Sequence, residues 1–204
     1  MEVFDEQQMA DAAWLFLRSN STATIQFGEN IKELSYVIDH QGRMVIPAMV
    51  AMLQPCDTVL FIPEYCDECI EMNITLHEFK EEGEDALLAD RWQVYHGVSP
   101  DTQWAKVEID AARFHEAFVD GGQLKRENPL SSLEPALCKE LNRSHKAHVI
   151  EVCKRQANVE VSDPVVVGVD PMGIDIRAAF GIIRVSVNTL FSTSEDVVAF
   201  VSDC

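Results

Sequence analysis

The alternation of apolar and polar positions divides the chain into two stretches of different character. In residues 6–18, Met9, Ala13, Phe16 and Leu17 share one face at helical spacing, which predicts an amphipathic helix. "TATIQFG" then reads as a strand closed by Gly28. "ELSYVIDH" and "MVIPAM" flank "HQGR", a tight connection carrying Gly42, and together they predict a hairpin. "MVAMLQP", between Pro47 and Pro55, is a short helix or a turn. In "IEMNITLHEF", which follows the strand "TVLFIP", Ile70, Met72, Ile74 and Leu76 alternate with Glu71, Asn73 and Thr75. That is the period of a strand with one buried face. The segment "EYCDEC" lies between these two strands, so Cys66 and Cys69 fall on a polar turn. "EGEDALLADRWQVYHG" carries Leu88, Trp92 and Tyr95 at helical spacing and stops at Gly97. "QWAKVEID" and "RFHEAFVDGG" alternate as two further strands. Six or seven antiparallel strands with one helix interposed predict a small barrel.

The pattern changes after Gly121 and Gly122. "QLKRENPLSSLEP" is polar and holds two prolines, which places a domain boundary there and gives domains at 1–122 and 123–204. Ser131 and Glu134 have capping-box spacing, predicting one long helix that runs to about Asn158. "PVVVGVD", a "PMG" turn, "IDIRAAF" and "IIRVSV" follow as strands, and "STSEDVVAFV" as a capped helix. The predicted class is α+β: an antiparallel barrel, then a small α-β-β-β-α domain.

Composition narrows the function classes. The 204 residues hold 47% hydrophobic residues, enough for a sizeable core. Lys and Arg number 16 against 34 Asp and Glu, a formal charge of -18. Such a surface repels phosphate backbones, which argues against nucleic acid and anionic membranes as partners, a local basic pocket aside. The N-terminus is acidic, unlike a signal peptide, and no apolar run reaches the roughly 18 residues of a membrane span. Six cysteines dispersed through a chain of this length predict reduced thiols in a cytoplasmic protein.

The order of elements over residues 20–122 resembles the FMN-binding split barrel of the pyridoxamine 5'-phosphate oxidase-like superfamily. The tail resembles the small domain that follows that barrel in bacterial haem-utilisation proteins. Three segments carry the second likeness: "NRSH" with Asn142 and His145, "DPMG" with Asp170 and Gly173, and "IIRVSV" with Arg184. "FVDGG" is similar to the glycine-ended strand that closes the family's barrel. The resemblance implies a homodimer holding a planar ligand, FMN or haem, in the groove between two barrels. It further implies that any enzyme activity is that of a flavin- or haem-dependent oxidoreductase. Relatives that bind flavin hold its phosphate with Arg, Lys, Ser or Thr around the second hairpin, because a buried dianion needs such donors. "MVIPAMVAMLQPCD" contains none of these, which leaves Arg43, just before it, as the candidate and argues against tight FMN binding. Arg91 and Trp92, on the barrel helix, are the other residues that would line a groove between copies. A plainer account makes them an exposed helix face.

The remaining candidates have competing readings. Cys66 and Cys69 have the spacing of a zinc or dithiol pair, but no second such pair completes a zinc site. A β-turn also lacks the helix N-terminus of a thioredoxin-type switch. The favoured reading is an ordinary hairpin tip, with no metal. His145 and His148 continue the stripe of Leu133, Leu137, Leu141 and Val152, which predicts partial burial against the small sheet. They would be a metal or haem ligand pair, or, as favoured, His145 and Asn142 would bond the "DPMG" turn. Arg184, in an apolar strand, is expected to pair with Asp170 or Asp175. No Ser-His-Asp set, phosphate-cradling glycine loop or carboxylate dyad is visible. The functional expectation is a haem-utilisation-type ligand-binding protein. Its alternative is a non-catalytic binding or regulatory relative that has lost the FMN phosphate site.

Overall fold

The computed structural model describes residues 6–99 and 103–203. The readings made on residues 1–5 and on Cys204 lie outside the described residues. The chain divides into two compact units, Met1–Glu127 and Asn128–Cys204. Its class is α+β, with an antiparallel half-barrel in the first unit and a small sheet with helices in the second.

The first unit opens with α1 (Glu6–Ser19), which buries Ala10, Ala13, Trp14 and Leu17. Eight strands follow: β1 (Thr22–Phe27), β2 (Asn30–Ser35), β3 (Val37–Ile38), β4 (Met44–Ala48), β5 (Thr58–Ile62), β6 (Ile70–Phe79), β7 (Gln103–Phe114) and β8 (Ala117–Asp120). Helix α2 (Ala86–His96) lies between β6 and β7. All pairings are antiparallel, and the order is β2-β1-β5-β6-β7-β4-β3, with β8 also on β7. Ile46, Leu60, Ile62, Ile70 and Met72 are among the fully buried side chains.

This order forces the sheet to curl. β2 and β3 stand at opposite ends of the hydrogen-bonded path, yet only Tyr36 separates them in sequence. One residue spans about 3.3–3.6 Å, so the two edges must meet. Tyr36 is buried at this seam, its hydroxyl donating to the Leu17 carbonyl at 2.6 Å and its N–H to Ser21 at 3.0 Å. The seam interrupts the single strand expected over "ELSYVIDH". Conversely, the two strands expected at "QWAKVEID" and "RFHEAFVDGG" are one twelve-residue strand, β7, followed by the short β8. A continuous β7 is favoured because the ten-residue β6 pairs along it from Phe79↔Trp104 to Ile70↔Phe114.

In the second unit, α3 (Glu134–Ser144), α4 (Lys146–Gln156) and α5 (Ser194–Ser202) cover a sheet of β9 (Val165–Asp170), β10 (Gly173–Ala178) and β11 (Gly181–Ser186), in the order β11-β10-β9. Leu137, Leu141, Val149, Val152, Ile174, Ile176, Val185, Val197 and Val201 form its core. The single long helix expected here is two, because His145 leaves the helical region at φ -121°, ψ 17°. The break has a packing reason. α3 lies against β9 and α4 against β11, opposite edges of the sheet, and one straight helix follows only one line. Helix α5 begins with a capping box between Thr193 and Asp196, as its sequence predicts. The Ser131–Glu134 box does not form: the helix starts at Glu134 itself, so that residue is not the third helical position a box requires.

Candidate functional site: a cleft where the barrel sheet splits

Strand β7 has the same neighbour, β6, along one side and two different neighbours along the other. β4 pairs with Gln103 to Val107, and β8 with Ala111 to Phe114. Glu108, Ile109 and Asp110 are left between them with no ladder partner on that side. A cleft of about 530 Å³ opens at this gap. Its walls are Gly42, Arg43 and Met44 from the β3–β4 hairpin, His77 from β6, Lys106 to Ile109 from β7, and Gly121, Gly122 and Lys125 from the turn after β8. That turn can press on the gap only because Gly121 has no side chain: a Cβ there would lie 1.7 Å from the Ile109 carbonyl oxygen.

Three cations line the cleft. Arg43 donates through Nε to Asp39 at 2.7 Å, and its guanidinium makes a second contact to the same carboxylate at 2.6 Å. Asp39 also accepts from the backbone N–H groups of Gln41 and Arg43, so the hairpin holds the arginine in place. The Lys106 ammonium is 3.1 Å from Asp85 and 5.6 Å from the centre of the Phe79 ring. Lys125 has no ion-pair partner among the described residues. Glu108 contributes the one carboxylate of the lining, 2.6 Å from His77 Nε2. Two of the cations are therefore already paired with a carboxylate, and among the described residues Lys125 is not. Met44 and Val107 add apolar wall.

Of the residues singled out in the sequence for cofactor binding, Arg43 stands in this cleft and Arg91 and Trp92 do not line it. Trp92 is only 4% exposed, which corrects the expectation of an exposed helix face. Its indole N–H donates to the Ser35 carbonyl at 3.0 Å, Arg91 Nε donates to Ile38 at 3.0 Å, and His96 Nε2 to Tyr36 at 3.0 Å. These three carbonyls flank the barrel seam, so α2 supplies donors where the strand ladder ends. Arg91 also stacks on Tyr95, 5.2 Å from the ring centre. Composition alone does not separate a tryptophan that binds a ligand from one that closes a seam.

The tail residues form two groups. Arg184 bonds Asp175, directly opposite it on β10, at 3.1 Å, and Asp170 at 2.6 Å. All three side chains are 5–6% exposed. Asp170 also accepts from the Met172 N–H, closing the turn that leads to Gly173. Gly173 sits at φ +152°, and a Cβ there would meet the Val185 carbonyl at 2.0 Å. Asn142 and His145 are elsewhere. Asn142 exchanges two hydrogen bonds with the backbone of Val166, at 2.8 and 2.9 Å, and His145 Nδ1 is 3.3 Å from the Ser202 hydroxyl. Helix is thus fixed to sheet, but through β9 rather than through the "DPMG" turn. His148 is exposed, against the expectation of partial burial: α4, which starts after the break at His145, buries Val149, Val152 and Cys153 instead.

Two residues that the sequence does not mark for this role, Asn128 and Glu134, join Asn142. β9 is an edge strand. Its Val169 N–H donates to Glu134 at 3.0 Å, and its Val169 carbonyl accepts from Asn128 at 2.8 Å. Side chains thereby occupy backbone groups that an open edge would offer to another strand. A buried acid at the head of a helix beside an edge strand is the only signal for Glu134, and it appears only once the strand is placed.

No family model matches the chain, and no curated protein does. Among solved structures, the protein Atu2129 of unknown function from Agrobacterium tumefaciens strain C58 is similar with a TM-score of 0.70 at 14% identity, covering 98% of this chain and 97% of that one. What this chain shares with it is a fold. A heme binding protein from Mycobacterium smegmatis covers 100% of this chain and 97% of its own at 14% identity, with a TM-score of 0.42, too low to bear on function.

Proposed function

We propose that the barrel unit binds a planar, anion-bearing small molecule of the haem or flavin type, seated by its anionic groups in the cleft at the split of the sheet. The observation that supports this reading is the gathering of Arg43, Lys106 and Lys125 around one cleft in a protein of formal charge -18. Positive charge concentrated in a concave site on an acidic surface focuses attraction on an anionic ligand. Arg43 and Lys125 would hold carboxylate or phosphate groups, and Met44 and Val107 would give the ligand body an apolar wall. The ligand supplies any redox chemistry; the chain binds and orients it. The proposal includes a homodimer, supported by Leu87 and Val94, exposed seven residues apart on one face of α2. It also includes a cytoplasmic location, supported by the free thiols of Cys56, Cys66, Cys69 and Cys153.

The competing reading is a non-catalytic binding or regulatory module. It is favoured by the absence of Lys, Arg, Ser and Thr from residues 44–57, where flavin-binding relatives place phosphate donors. Titration with haemin and with FMN, followed by visible absorption and by melting temperature, separates the two. Binding to the folded state alone raises the melting temperature. The expected result is a spectral shift and a higher melting temperature with one of them. Lys125→Glu, which breaks no existing ion pair, should weaken that binding at least about tenfold, a loss of about 1.4 kcal/mol. No response to either compound defeats the cofactor reading and leaves the module.

A further inference from the structure

Cys66 and Cys69 are not part of the cleft lining. They lie on the connection from β5 to β6, where Cys66, Asp67, Glu68 and Cys69 make a turn closed by the Cys69 N–H donating to the Cys66 carbonyl at 3.3 Å. Such a turn keeps its first and fourth Cα atoms within about 7 Å. A disulfide spans about 4.4–6.8 Å between Cα atoms. The turn therefore brings the two Cα atoms to about the separation that a disulfide spans. Cys66 is exposed and Cys69 is partly so, which lets reagent reach the first and keeps the second close behind.

The turn is anchored on both sides. Tyr65 packs edge-on against Phe61 of β5, ring centres 5.1 Å apart. Beyond Cys69, Glu71 of β6 takes a 2.5 Å hydrogen bond from Arg113 of β7. That bond chiefly, and then the Glu71 charge, hold the Arg113 guanidinium firmly protonated, and Cys69 adds a smaller contribution. A cation therefore stands within electrostatic range of Cys69. Among the described residues, no three His, Cys, Asp or Glu side chains gather to hold a metal ion. The geometry suits a dithiol better than a zinc site.

We propose that Cys66 and Cys69 form a reversible intramolecular disulfide by exchange with a low-molecular-weight disulfide such as oxidised glutathione. The Cys66 thiolate attacks one sulfur of the small disulfide, giving a mixed disulfide and releasing one thiolate. The Cys69 thiolate then attacks the Cys66 sulfur, forming the internal bond and expelling the second small thiolate. Two electrons pass from the protein dithiol to the small disulfide, and the two protons lost by the cysteines are taken up by the two thiolates released. The pair is in this sense a substrate of exchange, which does not require the helix N-terminus of a catalytic dithiol.

Peptide mapping after incubation with oxidised glutathione tests this, with the exposed Cys56 as internal control. In the unaltered protein the peptide holding residues 64–72 should lose about 2 Da and carry no glutathione, and dithiothreitol should restore it. Cys69→Ser should retain glutathione on Cys66, because the resolving thiol is gone. Stable glutathione on Cys66 in the unaltered protein, to the same extent as in Cys69→Ser, overturns the proposal. So does an unmodified pair at a point where Cys56 is fully modified. The decisive comparison is made on the native sequence, so a poorly folded variant does not rescue the idea.

Discussion

Arg184 is placed between two carboxylates that precede it by nine and fourteen residues, and all three side chains are nearly excluded from solvent. Taking the guanidinium away leaves two buried acids facing each other. Arg184→Leu should therefore destabilise the protein by about 3–5 kcal/mol, the range for breaking a buried pair by removing one partner. Guanidinium chloride unfolding checks this, and a loss below about 1 kcal/mol would mean that water already reaches the site. The sequence shows this cluster in advance because a charged residue inside "IIRVSV" must find an acid, and Asp170 and Asp175 are near it in the chain. Glu134 is the opposite case. Its sequence neighbours suggest a helix cap, whereas its hydrogen bond goes to Val169, 35 residues away.

At the scale of elements, α2 is tied to the barrel by three donors on the seam carbonyls of Ser35, Tyr36 and Ile38. Trp92→Phe keeps most of the ring packing but leaves the Ser35 carbonyl without its indole donor. The expected cost is about 1–3 kcal/mol, the penalty of an unsatisfied buried group. Hydrogen exchange should quicken along β2 and β3 more than along β6. Uniform protection across these strands would show that the seam does not depend on the helix. Strand positions such as Ile70, Met72 and Ile74 are legible from alternation, since one face is buried. The break at His145 is not, because the stripe of Leu137, Leu141 and Val152 continues through it and only the two edges of the sheet demand a change of direction.

For the whole molecule, the second unit has its own core, built from α3, α4, α5 and the three-stranded sheet. We propose that it is an independent domain. A chain beginning at Asn128 should give dispersed amide spectra and a cooperative unfolding transition; a disordered spectrum would show that it needs the first unit to fold. The acidic charge of -18 belongs to the same scale: it limits which partners approach and says nothing about which cleft receives one.

The sequence by itself determined the α+β class, nearly all the strands and helices, the hairpin position of Cys66 and Cys69, and the two candidate partners of Arg184. Each rests on local periodicity or on charges close together in the chain, and such signals do not depend on distant residues. Only the tertiary structure decided where the cleft lies and what Trp92, Asn142 and Glu134 hold. The cleft exists because β4 and β8 share one side of β7 and leave three residues between them, and that register is set by pairing across the sheet.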